Sequence, residues 1–179
     1  MAEQKMLNPI KTMKLEKVVL NIGGTADKLD RGVILLEKIT GKKPVKVKAT
    51  KRIPTWSVRP GLEVGTKVTL RGEDAINVLK KLLPAIDNTL KEKQIQNNFF
   101  SFGIHEYIEI PGMDYIREVG IMGFEVTVVF SRAGKSIEKR KIKRSRAKRI
   151  TVTREEIEQY VQDKFGTEII KKNSQGGEE

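Results

Sequence analysis

Val64-Gly65-Thr66-Lys67-Val68-Thr69-Leu70-Arg71 is the stretch on which the fold turns. In an extended chain, successive side chains point to opposite faces. Val64, Thr66, Val68 and Leu70 therefore share one side, and Lys67, Thr69 and Arg71 the other. A strand covered on both faces would show a continuous apolar run, so this one predicts a sheet with one face in a core and the other open to water. Lys14 to Ile22 repeats the pattern, with Val18, Leu20 and Ile22 on one face and Lys17, Val19 and Asn21 on the other, before Gly23 and Gly24 end the strand. Val45 and Val47 alternate with Lys46 and Lys48 in a shorter strand whose lysines are expected to join the open face. Two more strands are expected near Ile104 to Ile110 and Gly123 to Ser131, the second with Phe124, Val126, Val128 and Phe130 on one side.

Helical spacing fills the intervals. Leu29, Val33, Leu36 and Ile39 recur within Ala26 to Thr40, and Gly41 stands where a left-handed C-cap is expected. Ile76, Leu79, Leu83, Ile86 and Leu90 mark a second helix over Glu73 to Leu90, kinked or divided at Pro84. Thr153 and Glu156 form a capping box for a last helix that buries Ile157, Tyr160, Val161 and Phe165 and is closed by Gly166. The fold class is α+β: a mixed, mostly antiparallel sheet with helices packed on one face, an open basic face, a basic extension and a C-terminal helix. Residues 1–170 read as a single domain, and 171–179 as a disordered polar tail.

Charge points to the class of partner. The 179 residues carry a net charge of +12. Lys42 to Arg71 holds nine bases and one acid, and Arg132 to Arg149 ten bases and one acid, so the rest of the chain is mildly acidic. Two cationic segments on an acidic body are the footprint of a polyanion site rather than of uniform solubilising charge. On the sheet, Lys17, Asn21, Lys46, Lys48, Lys67, Thr69 and Arg71 combine phosphate-neutralising cations with short hydrogen-bonding side chains suited to ribose and base edges. In the loop that follows the short strand, Lys51, Arg52 and Arg59 surround Trp56, which either stacks on a base or anchors the loop to the core. Lys139, Arg140, Lys141, Lys143, Arg144, Arg146, Lys148 and Arg149 are too dense for a stable unpaired helix and are expected to order on a phosphate backbone.

Signals for other chemistries are weak. The absence of cysteine excludes disulfides and thiolate metal sites and favours a reducing compartment. No segment approaches the ~18 apolar residues of a membrane span and Met1 to Lys14 lacks a signal-peptide core, so a soluble, untargeted chain with no membrane partner is expected. Gly134-Lys135-Ser136 imitates the end of a phosphate loop, but Val129 stands where its first glycine is needed. His105, Glu106 and Glu109 sit on an expected strand where Glu106 faces away from the other two, a poor arrangement for a metal or a general base. An RNA-modifying enzyme using Glu106 or Asp114 lacks a recognisable pocket. The reading is non-enzymatic, with no cofactor and no metal. The alternative of another class is a sequence-independent DNA-compacting architectural protein.

Asn21-Ile22-Gly23, Gly41-Lys42-Lys43-Pro44, Arg59-Pro60-Gly61, Gly65 to Gly72, Phe102-Gly103-Ile104 and Pro111-Gly112 occur together and in order. With these motifs, from about Met6 to Ile170, the chain resembles the large-subunit ribosomal protein five family, in its archaeal or eukaryotic form. The resemblance implies a cytoplasmic, ribosome-bound structural protein of the central protuberance. Its implied partners are 5S rRNA, the large-subunit rRNA to which 5S rRNA is attached, P-site tRNA, a small-subunit protein at the intersubunit bridge and a neighbouring 5S-binding protein. It places the 5S-facing positions at Asn21, Lys42, Thr69 and Arg71, and the loop of Lys51, Arg52, Trp56 and Arg59 near tRNA. Lys42 replaces a glutamine common in bacterial relatives, which would make that contact more electrostatic. Gly123-Phe124-Glu125 departs from the usual Gly-Met-Asp.

Overall fold

The computed structural model describes residues 12–145 and 150–170. Strands β1 (Met13–Gly23), β2 (Val45–Lys48), β3 (Glu63–Leu70), β5 (Ile95–Gln96), β6 (Phe99–Ile104) and β7 (Phe124–Arg132) form one sheet in the order β2-β3-β1-β7-β6-β5. Every neighbouring pair in it is antiparallel. Short strands β4 (Thr89–Lys91) and β8 (Glu168–Ile170) pair in parallel beside it. The helices are α1 (Asp27–Thr40), α2 (Glu73–Leu82), the one-turn α3 (Ser136–Lys139) and α4 (Arg154–Phe165).

The alternation read from the sequence decides which sheet face the helices cover. Val18, Leu20 and Ile22 of β1, Val68 and Leu70 of β3, Phe100 and Phe102 of β6 and Phe124 to Phe130 at alternate positions of β7 are all buried in one cluster. Leu35 and Leu36 of α1, Val78, Leu79 and Leu82 of α2 and Ile157 and Val161 of α4 complete it. Gly32 brings α1 close to the sheet, since a Cβ there would stand 3.2 Å from both Ile22 Cγ2 and Thr66 Cγ2. Each helix closure follows local chemistry. Gly41 and Gly166 adopt φ of 66° and 64° at the C-termini of α1 and α4, a conformation that side-chain-bearing residues avoid. At the start of α4 the Thr153 N–H donates to Glu156 Oε2 at 3.1 Å, completing the expected capping box.

Three expectations are corrected. The second helix stops at Leu82 and continues as a 3₁₀ turn over Leu83–Ile86 with Pro84 in it, so it is divided beside that proline as expected, but it ends with Asp87 and Asn88 at positive φ rather than at Leu90. Leu90 is then the buried centre of β4 rather than the last turn of a helix. The strand expected over Ile104 to Ile110 lies earlier, ending at Ile104, while Tyr107–Glu109 is a 3₁₀ turn. Tyr107 is buried there and its Oη accepts the Ile116 N–H at 2.8 Å, so the polar end of an internal side chain holds the loop. The tail from residue 171 onward lies outside the described residues.

Candidate nucleic-acid interface

Strand register arranges the uncovered face in rows. Asn21 of β1 pairs with Lys67 of β3 on one side and Glu125 of β7 on the other, and Glu125 pairs in turn with Gly103 of β6. The first row is therefore Lys67, Asn21, Glu125, Gly103. The next is Thr69, Val19, Thr127, Ser101. Lys17, Val129 and Phe99 make a third, which Arg71 extends one residue beyond β3. Adjacent strands lie about 4.8 Å apart, so each row offers a line of functional groups that an RNA can meet from above. Asn21, Lys67, Thr69, Arg71, Glu125 and Gly103 are exposed, and no helix lies over them.

The face is graded, cationic at β3 and neutral or acidic toward β6. Lys17, Lys67 and Arg71 have no ion-pair partner among the described residues. Lys42 lies in the α1–β2 turn at the end of the sheet where Arg71 leaves β3, and it pairs with Asp74 in the first turn of α2. Both partners are about half exposed, so the pair is a weak, screened tether that a phosphate can displace. Asn21, Lys67, Thr69 and Arg71 thus come together, with Lys42 at the rim.

Lys46 and Lys48 do not join them. β2 pairs with β3 so that Lys46 opposes the buried Thr66 and the two valines oppose Lys67 and Gly65. The lysine side chain consequently points toward the helix layer, where it reaches Asp30 of α1 at 2.8 Å and Glu63 at 3.3 Å. The hydrogen bonds to Asp30 and then Glu63 raise its pKa above the ordinary 10.5. Lys48 follows a bulge and faces the same recess beside Asp30 and Leu29. Val45, 61% exposed, takes the open-face position instead. A four-residue edge strand of alternating valine and lysine gives no signal of which residue type faces inward; only register does.

The loop between β2 and β3 projects beyond the sheet. Ala49 and Leu62 hold its base through an N–H···O bond of 2.8 Å, and Ile53 and Val58 bridge its tip. Trp56 is 73% exposed, so it does not anchor the loop to the core, and Lys51, Arg52 and Arg59 are exposed around it. Beneath the loop a groove of about 790 Å³ runs along the Gly23-Gly24-Thr25 turn, with Lys28, Lys48 and Lys51 on its walls.

The basic extension leaves β7 through Lys135, which pairs with Glu16 of β1 at 3.2 Å, and returns at Val152, whose N–H donates to Asn98 Oδ1 at 2.8 Å. Arg132 and Glu156 pair across its base. Burial would raise the Glu156 pKa, but the Thr153 N–H and the Arg132 guanidinium outweigh it and hold the carboxyl below its usual range. Lys139 ends α3; Arg140, Lys141, Lys143 and Arg144 are exposed and irregular; Arg146, Lys148 and Arg149 lie outside the described residues. His105, Glu106 and Glu109 are exposed on the opposite loop, and no cluster of potential metal ligands occurs among the described residues. None of the described helices is long and apolar enough to cross a membrane. Sequence reasoning missed the far half of the face, Glu125, Thr127, Ser101 and Gly103. For Glu125 and Thr127 the signal was the second side of the alternation in β7; Ser101 and Gly103 of β6 had none.

Fold and face together define a class, the α+β binding proteins that back an antiparallel sheet with helices and leave its other side bare. Within it, residues 8–59 match the family profile described as ribosomal protein L5, and residues 63–160 match the profile of that ribosomal family's C-terminus. The chain is similar to large ribosomal subunit protein uL5 of Nanoarchaeum equitans (strain Kin4-M), 47% identical with 92% of this chain and 100% of that protein covered. The proteins of the same name from Nitrosopumilus maritimus (strain SCM1) and Sulfolobus acidocaldarius are 39% and 38% identical, covering 90% and 95% of this chain and 96% and 98% of theirs. The chain belongs to the ribosomal L5 family of large-subunit structural proteins, and is not an enzyme.

Proposed function

We propose that the chain binds 5S rRNA through the open sheet face, attaches it to the large-subunit rRNA in the central protuberance, and reaches P-site tRNA and the small subunit through its projecting segments. The observation that carries this reading is the convergence of Asn21, Lys67, Thr69 and Arg71, from two paired strands, on a face no helix covers. Lys67 and Arg71 neutralise phosphates, with Lys42 adding a third cation once Asp74 is displaced. Asn21 and Thr69 take ribose hydroxyls or base edges, groups that distinguish a folded RNA from a DNA rod. The Trp56 loop supplies a stacking surface flanked by cations for tRNA. The extension and residues 1–170 as a whole act as one RNA-binding unit on the cytoplasmic ribosome, beside a neighbouring 5S-binding protein.

A filter-binding titration tests this. With about 6 to 10 phosphates contacted, affinity for 5S rRNA falls ~10³- to 10⁵-fold between 50 and 200 mM salt. Unlabelled 5S rRNA competes far better than duplex DNA. A flat salt response, or equal competition by DNA, contradicts the proposal and favours an architectural DNA-binding role.

A further inference from the structure

Among the described residues the uncovered rows carry one acid, where their cation-bearing half meets the neutral half. Glu125 is exposed and has no ion-pair partner among the described residues, although Lys67 lies only two strands away. Asn21 stands between them, exposed and with no side-chain hydrogen bond to a described residue. On the other side Gly103 leaves open space, since a Cβ built there would meet nothing within 4 Å. The row thus reads cation, amide, carboxylate, open space, with neighbouring columns about 4.8 Å apart.

A carboxylate is acceptor-only at neutral pH and repels phosphate. Placed in a phosphate-binding field, it weakens non-specific attraction and adds nothing unless it meets a ligand donor. Its two oxygens match two adjacent N–H donors, and the unpaired nucleobase that offers them side by side is guanine, through N1–H and the N2 amino group. The Asn21 amide, at the adjacent column, has both a donor and an acceptor for the remaining polar atoms of that edge. The space above Gly103 admits the body of the base.

Resting on the reading of this face as the RNA site, we propose that Glu125, Asn21 and the gap at Gly103 form a subsite for the Watson–Crick edge of an unpaired guanine. Phosphates are directed to the β3 side of the sheet and one base edge to the β1–β7 side. Glu125 then contributes affinity only for an RNA that presents such a base, because sequence-specific RNA recognition acts on splayed, unpaired bases.

Chemical footprinting with kethoxal, which modifies guanine at N1 and N2, tests this on 5S rRNA saturated with protein. The wild type protects at least one unpaired guanine, and Glu125→Gln, an exposed near-isosteric change, exposes that guanine while other protections persist. The variant also loses about tenfold or more in affinity for 5S rRNA but none for bulk tRNA. Identical footprints, absence of any protected guanine in the wild type, or equal gains in affinity for both RNAs overturn the subsite and leave Glu125 a mere counter-charge. The doubly substituted Asn21→Ala, Arg71→Ala protein separates this failure from that of the underlying reading. If its 5S affinity matches the wild type, the sheet is not the RNA face at all.

Discussion

Lys46 and Lys67 sit on paired strands, one register step apart, and face opposite ways. Lys67 projects from the uncovered face with no described carboxylate in reach, whereas Lys46 is turned to the helix layer and held by Asp30 and Glu63. Two lysines in the same cationic segment therefore have different work: one is available to a polyanion, the other ties an edge strand to α1. Net charge along a sequence counts both alike. What separates them is the pairing of Val45 with Lys67, a long-range fact that fixes the face of each β2 residue before the bulge at Lys48, because a one-residue slip inverts a strand.

The two faces as wholes differ in the same sense, and the largest expected effect exploits it. Phe130 lies on the covered side, packed against Phe100 and Tyr160 with ring centroids 5.9 and 5.4 Å away. Phe130→Ala removes a fully buried ring and destabilises by about 3 to 5 kcal/mol in a denaturant melt. Thr69→Ala, on the bare side, shifts the same melt by no more than about 0.5 kcal/mol. Comparable losses at the two positions would mean that something in the chain covers the second face.

The covered face was legible in the sequence because burial imposes a period. β3, the central part of β1, and β7 each alternate cleanly, and α1 carries both its stripe and its glycine cap. Legibility failed where local pattern and tertiary structure diverge. Ile86 and Leu90 keep helical spacing across Pro84, yet the chain turns at Asp87 and Asn88, and Leu90 is drawn into a strand by Ile169 of β8, its partner in the parallel pair. In β6, Phe99 and Gly103 blur the alternation: an aromatic residue stands on the open side and a glycine gives no polarity. The open face had only its β1 and β3 half in view, since its acidic and hydroxyl-bearing half depends on the register of β6 and β7.

Helix α4 sharpens the comparison at intermediate scale. Glu156 caps the helix and pairs with Arg132 at the base of the basic extension; glutamine can keep the cap but not the charge, so Glu156→Gln costs up to about 1 kcal/mol of stability. Its pKa is lowered in the folded protein, so its contribution is fully present above the ordinary carboxyl value of 4.5 and is lost as pH falls through the lowered folded value. Thermal melts between pH 7 and pH 3 should converge for wild type and variant at the acid end. A constant gap across that range would show that the effect does not depend on the ionisation of Glu156.

The smallest effect is the most pointed, because it returns to the two lysines. Each phosphate contact contributes about one unit to the slope of log affinity against log salt, so Lys67→Ala reduces the 5S rRNA slope by about 1 and weakens binding uniformly across RNAs. Lys46→Ala leaves that slope unchanged if the lysine remains with Asp30 and Glu63 when RNA is bound. Its signature lies in the alkaline limb instead. The pKa of Lys46 is raised on folding, so its stabilising contribution persists up to the ordinary value of 10.5 and fades as pH climbs through the higher folded value, a fade the alanine variant lacks. Equal loss of slope in the two variants would mean that Lys46 abandons its carboxylates for phosphate. The division of labour drawn between neighbouring strands would then hold only for the free protein.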